Sequence, residues 1–221
     1  PVDVSYSGWD NSLEGSDRTP ALRIGLRQIE GFREDWAEAL AAARAFSLSN
    51  IETLARRAAL SSAAMRKLAD ADAFRSLGLD RREALWAVRR LPDDAPLPLF
   101  AAADARELGA EPDARLPVMP LGEHVAADYQ TLRLSLKAHP MAILRPIFHP
   151  EGLLTCARTE AKRGGALVRV AGVVLVRQRP GKGNAIFVTL EDETGIINVV
   201  LWARMFEQFR REVMAARLMA V

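Results

Sequence analysis

The chain has 221 residues, 49% of them apolar and 26% charged, with 30 Lys and Arg against 28 Asp and Glu for a formal charge of +2. That composition is ordinary for a water-soluble globular chain of one or two domains. It holds no run approaching the roughly 18 apolar residues of a membrane span, and no N-terminal signal pattern. With Cys156 its single cysteine, it can form neither an intrachain disulfide nor a cysteine-rich zinc site. A cytoplasmic location with no membrane partner is the expectation. The first residue is Pro1 and the last falls inside a folding pattern, so a piece of a longer protein is expected.

Pro1 to Arg18 reads as polar and irregular. Val2 and Val4 are expected to close a strand of a preceding domain, making residues 1–20 the end of that domain. From Ala21 the pattern turns helical, with little strand signal until about residue 166. Leu26 to Leu40 carries an apolar helix end into Ile29-Glu30-Gly31-Phe32 and then into a second helix, which is the core of a helix-hairpin-helix. Gly31 is suited to a turn whose backbone must approach a phosphate closely, and N–H groups at the start of the second helix would face that phosphate. Arg33 stands where a stronger version of the motif has a second glycine. It either adds a phosphate contact or leaves the hairpin as a packing unit.

Ser49-Asn50-Ile51-Glu52 predicts a capping box opening a helix through Leu60, and Ser61 or Ser62 caps another to about Ala73. Phe74 to Trp86 repeats the hairpin logic, with Gly78 in the turn and Asp80 and Glu83 capping the next helix. Arg81 and Arg82 are either phosphate partners or solvated first-turn residues. Residues 21–91 are therefore read as a tandem helix-hairpin-helix DNA-binding domain.

Residues 92–120, rich in Pro and Asp, read as a linker. Leu99 and Phe100 within it either dock into a partner's groove or pack back on their own domain. Residues 121–165 read as a helical connector. The three histidines, His124, His139 and His149, fit no metal spacing.

Residues 166–221 turn to strands. Leu167 to Arg177, Ala185 to Asp192 and Ile196 to Trp202 are predicted strands. Gly172 marks a bend in the first, and residues 177–184 form a basic hairpin loop. Trp202, Phe206, Phe209 and Val213 share one face of a following helix, and Arg217 opens a fourth strand. Three strands, a helix and a strand is the order of an OB-fold, a five-stranded barrel that often binds single-stranded nucleic acid, here one strand short. Arg177, Arg179 and Lys182 concentrate positive charge at one tip, which is either a nucleic-acid contact or a solvated turn. Phe187 is either a base-stacking aromatic or part of the barrel core. No nucleophile with its base, phosphate loop or metal-binding carboxylate cluster is visible, so neither an active site nor a cofactor is expected in this chain. The predicted class is α+β multidomain, a helical hairpin region followed by a β-barrel.

Taken together, PVDV, LRIGLRQIEGF, ADADAFRSLGLDRREALWAV, PLPLF, LSLKAHP and RVAGVVLVRQRPGKGNAIFVTLEDETGIINVVLW resemble bacterial C-family DNA polymerases. Among these they are most similar to the error-prone, damage-inducible second alpha-type subunits. The resemblance implies a region beyond the palm and fingers, with hairpins on duplex DNA and an OB-fold near single-stranded template. It implies two divalent metal ions (Mg) in the parent polymerase, held by palm carboxylates that no residue here matches. Replicative members carry a clamp-binding pentapeptide starting with glutamine. Pro96-Leu97-Pro98-Leu99-Phe100 keeps Leu-Phe and loses the glutamine, which counts against direct sliding-clamp binding and fits recruitment by mutagenesis-complex proteins. The rival reading is a protein-interaction scaffold within such a complex.

Overall fold

The computed structural model describes residues 1–16, 18–46, 48–91, 116–181 and 183–221. It divides into two compact units, Pro1–Leu136 and Lys137–Val221. The expected 121–165 connector is thus split, its first helix belonging to the helical unit.

In the first unit a β-hairpin pairs β1 (Ser12–Ser16) with β2 (Thr19–Arg23), placing Leu13 across from Leu22. Sequence reading expected irregular chain and then helix here. SLEGS and TPALR bury almost nothing, so they carry no apolar alternation to read. A 3-10 turn at Leu26–Gln28 precedes α1 (Glu34–Ala43), α2 (Ile51–Arg57) and α3 (Ser62–Asp70). A second 3-10 turn at Arg75–Leu77 leads into α4 (Arg81–Arg89), and α5 is Leu121–Thr131. Asn50 rather than Ser49 caps α2, accepting from the Thr53 N–H at 2.8 Å, and Ser61 caps α3.

Residues 1–20 do not form the end of another domain. Val2 and Val4 are buried in the same core as Leu26, Leu40, Leu54, Leu68 and Phe74. The Val4 N–H donates to the Ala73 carbonyl at 2.8 Å. Asp3 accepts from the Ser76 N–H, and Arg44 donates to the Val4 and Ser7 carbonyls at 2.8 and 2.6 Å. Two valines in a polar stretch looked like the edge of something else. They are apolar plugs, each stabilising by about 1.5–3 kcal/mol when buried.

In the second unit α6 (Pro140–Phe148) and α7 (Cys156–Glu160) precede β3 (Ala171–Gln178), β4 (Ala185–Asp192) and β5 (Gly195–Trp202). Then come α8 (Ala203–Gln208), α9 (Arg210–Ala215) and β6 (Leu218–Ala220). The sheet order is β5-β4-β3-β6, antiparallel throughout. A three-strand meander whose fourth strand, after a helical crossing, returns to pair with the first is the connectivity of an OB-fold. Among the described residues β5 and β6 are edges of an open half-barrel. The helix expected after Trp202 is broken into two at Phe209, whose φ/ψ of −115°/29° leaves helical geometry.

The bulge in β3 falls between Val174 and Val176, not at Gly172. Gly172 serves a close approach instead: a Cβ there would lie 2.8 Å from the Glu191 carbonyl oxygen and 3.0 Å from the Leu190 Cβ. Beneath it Ile186, Val188 and Leu190 of β4 pack with Val213 and Met219.

Candidate nucleic-acid interface

In the first hairpin Gly31 has φ +68°, a left-handed conformation glycine adopts without strain. Lys67 Nζ donates to the Glu30 carbonyl at 2.8 Å and stands 2.9 Å from where a Gly31 Cβ would be. The Glu30 N–H donates to the Thr131 carbonyl at 2.9 Å, and its carboxylate pairs with Arg133. Arg33 makes a two-pronged pair with Asp35 at 2.9 and 2.7 Å and lies 5.3 Å from the Trp36 ring centroid. Glu34 and Asp35 occupy the first turn of α1. There their charges offset the positive end of the helix dipole that an incoming phosphate would use.

The second hairpin turns at Gly78, φ +77°, with open space around it. Asp80 accepts from the Glu83 N–H and Glu83 from the Asp80 N–H, both at 2.8 Å, so the predicted capping box is formed. Arg81 is not available as a phosphate partner. It is 1% exposed, pairs with buried Asp128, and donates to the His124 carbonyl at 2.8 Å. The first turn of α4 faces α5, which sequence reading had placed in a separate connector. Arg82 donates to the Pro117 carbonyl at 2.7 Å and to Glu123 at 2.8 Å while staying partly exposed.

In the sheet, β4 alternates strictly. Ile186, Val188 and Leu190 point into the core, so Phe187 lies on the opposite face, 40% exposed. A barrel-core place for Phe187 is thereby excluded. Val200 pairs directly across from it, and Trp202, paired with Ala185, is one step further along the same face. Trp202 is 65% exposed, and Val176 on β3 is exposed on this side as well. The other end of this face is covered by α6, whose Met141, Leu144 and Phe148 pack on Ala171 and Val173. What remains open is an aromatic and aliphatic surface beside the β3–β4 loop. Trp202 stood both at the end of the predicted third strand and on the face of the following helix, and was not among the expected site residues. Alternation along β5 would have put it on the face of Phe187.

Of the three loop cations, Arg177 turns inward. It pairs with Val188 in the ladder and donates to the Val213 and Ala216 carbonyls at the end of α9. Those helix-terminal carbonyls lack intrahelical partners, and a guanidinium satisfies them. Arg179 stays in the exposed loop, donating to the Gly183 carbonyl at 3.2 Å. Lys182, Leu99 and Phe100 lie outside the described residues.

The β4–β5 turn is tied down by Asp192. Its carboxylate accepts from the Cys156 N–H at 2.7 Å, from Arg145 at 2.9 Å, and from the N–H and hydroxyl of Thr194 at 2.7 Å each. Burial would raise its pKa, but the bonds from Thr194 and Cys156 and the Arg145 charge outweigh it and hold the carboxyl below its ordinary range. The Arg145 hydrogen bond likewise lowers Glu193. Burial and the Asp192 charge push the Cys156 thiol up to about 11, leaving it a protonated core residue rather than a nucleophile. Among the described residues no cluster of three or more His, Cys, Asp or Glu could hold a metal ion, and no helix is long and apolar enough to cross a membrane.

Residues 1–84 match the family described as a helix-hairpin-helix motif, and residues 168–215 match an OB-fold nucleic acid binding domain. The chain is 54% identical over 245 residues to a Rhodopseudomonas palustris protein and 53% identical over 223 residues to one from Brucella abortus. It is 46% identical over 274 residues to one from Bradyrhizobium diazoefficiens. Each is named error-prone DNA polymerase. All of this chain is covered in each comparison, but it spans only 20%, 21% and 24% of those relatives. Two architectures that bind nucleic acid thus follow one another in a chain similar to about a fifth of such a polymerase.

Proposed function

We propose that this chain is a non-catalytic DNA-binding region of an error-prone DNA polymerase acting in damage-induced mutagenesis and lesion bypass. Nucleotidyl transfer, with its two divalent metal ions, would belong to the parent protein outside this chain. The observation that carries the reading is the open face of the half-barrel, where Phe187, Val200 and Trp202 stand in solvent beside the Arg179 loop. Stacking of successive bases on exposed aromatics next to a cationic loop binds single strands without reading sequence, at about 1–3 kcal/mol per stacked base. The helical unit would then hold the duplex side through phosphate contacts.

Fluorescence anisotropy with single-stranded, duplex and primed DNA across a salt series tests this. Binding that weakens steeply with salt supports it, and no binding at low salt by a folded chain refutes it.

A second reading has its own support. Both hairpin tips are tied to residues 117–133, through Glu30 and through Arg81 and Arg82. That is how packing units behave, and it favours a scaffold in a mutagenesis complex with the sheet face receiving a protein. The same titration separates the two, since a scaffold leaves DNA unbound.

A further inference from the structure

The solvent side of α4 carries a feature that neither hairpin accounts for. Arg82, Trp86 and Arg89 are spaced four and three residues apart, which at 3.6 residues per turn puts them on one face. Ala84 and Val88 hold the buried side. Trp86 is 41% exposed and Arg89 is exposed, an arrangement a core-facing helix has no use for. The stripe is about 10 Å long at 1.5 Å per residue. It starts beside the Gly78 turn and ends at Arg90, which closes the helix.

A neighbouring helix is basic as well. α3 and α4 pack on each other. α2 also packs on α4. Its last turn carries exposed Arg56 and Arg57, the latter 5.2 Å from the Phe46 ring centroid. Among the described residues, Glu83 is bonded to the Asp80 N–H and Glu123 shares Arg82.

We infer that the outer face of α4 is a contact stripe for the sugar-phosphate backbone of duplex DNA, separate from the hairpin turns. Guanidinium groups pair with phosphate oxygens through two parallel bonds. The indole between them offers a flat apolar surface to the deoxyribose edge. A rigid helix with cations at both ends suits a regular duplex backbone, whereas the sheet face suits unstacked bases. In this arrangement Glu123 competes with phosphate for Arg82. The inference rests on the DNA-binding reading above.

The test measures the salt dependence of duplex and single-strand binding for the wild type, R82Q/R89Q, R82K/R89K and E123Q, each checked for folding by thermal melting. Losing two phosphate contacts should reduce the slope of log K against log salt by about 1.8 for duplex, at about 0.9 per phosphate. Single-strand binding should stay unchanged. The lysine variant should keep the wild-type slope, and E123Q should tighten duplex binding severalfold. Wild-type duplex binding with an unchanged slope in folded R82Q/R89Q overturns the stripe and leaves the DNA reading standing. Equal losses for duplex and single strands overturn its assignment to duplex. A wild type that binds no DNA overturns both.

Discussion

Arg81 and Asp128 form a buried ion pair that joins the first turn of α4 to α5, both side chains almost entirely shielded from solvent. Ser135 donates to the second carboxylate oxygen of Asp128 at 2.8 Å, so the acid is held from two sides. Removing one partner strands the other charge in the core, which typically costs about 3–5 kcal/mol. R81A should therefore lower the stability of the helical unit by that order in urea or thermal unfolding. R81M/D128L should recover much of the loss, since replacing both charges removes the uncompensated one. Equal destabilisation by single and double variants would show that packing, not charge, dominates there.

Gly172 and Gly78 are glycines for different reasons, and alanine separates them. At Gly172 a Cβ meets backbone of the neighbouring strand at 2.8 Å, which cannot yield without moving β4. G172A should cost about 1–3 kcal/mol through overpacking and shift β4 amide resonances. At Gly78 there is room, so G78A should cost only the left-handed backbone penalty of about 1–2 kcal/mol.

The Asp192 turn makes the second unit acid-sensitive. Asp192 and Glu193 are both held below their ordinary pKa values in the fold. Their stabilisation is therefore fully present above the unfolded carboxylate range, around pH 4. It is lost as pH falls through the lowered folded values. D192N should destabilise the unit at pH 7 and flatten the acid limb of its stability profile. An unaltered acid limb in D192N would mean that other carboxylates control it.

Cys156 should resist alkylation at pH 8 in the native protein and react fully once unfolded, because its thiol titrates near 11 and is buried. Rapid native labelling would show that the α7 end opens readily.

Much of the architecture was readable because it is local. The Asp80–Glu83 capping box, the Gly78 turn and the limits of β4 follow from residues within a few positions of one another. Partners distant in sequence were not readable. Nothing near Arg81 announces Asp128, 47 residues away, and nothing near Arg177 announces the end of α9. Both arginines look like surface cations because a guanidinium is as ready to satisfy buried carbonyls and carboxylates as to bind phosphate. Val2 and Val4 were misplaced for the same reason, since their neighbours in space include Ala73 and Phe74. At the sheet face, sequence left Phe187 open between base stacking and the barrel core, because the side of the sheet that the helices cover is set by partners distant in sequence.

The open sheet face is the center of the functional reading, and F187A/W202A tests it most directly. Both side chains are exposed and neither belongs to the core cluster of the half-barrel, so the variant should melt like the wild type. Its affinity for single-stranded DNA should fall by at least about fivefold, as the loss of one to two stacked bases at about 1–3 kcal/mol each requires, while duplex affinity stays within twofold. Unchanged single-strand affinity in a folded F187A/W202A protein would contradict the account.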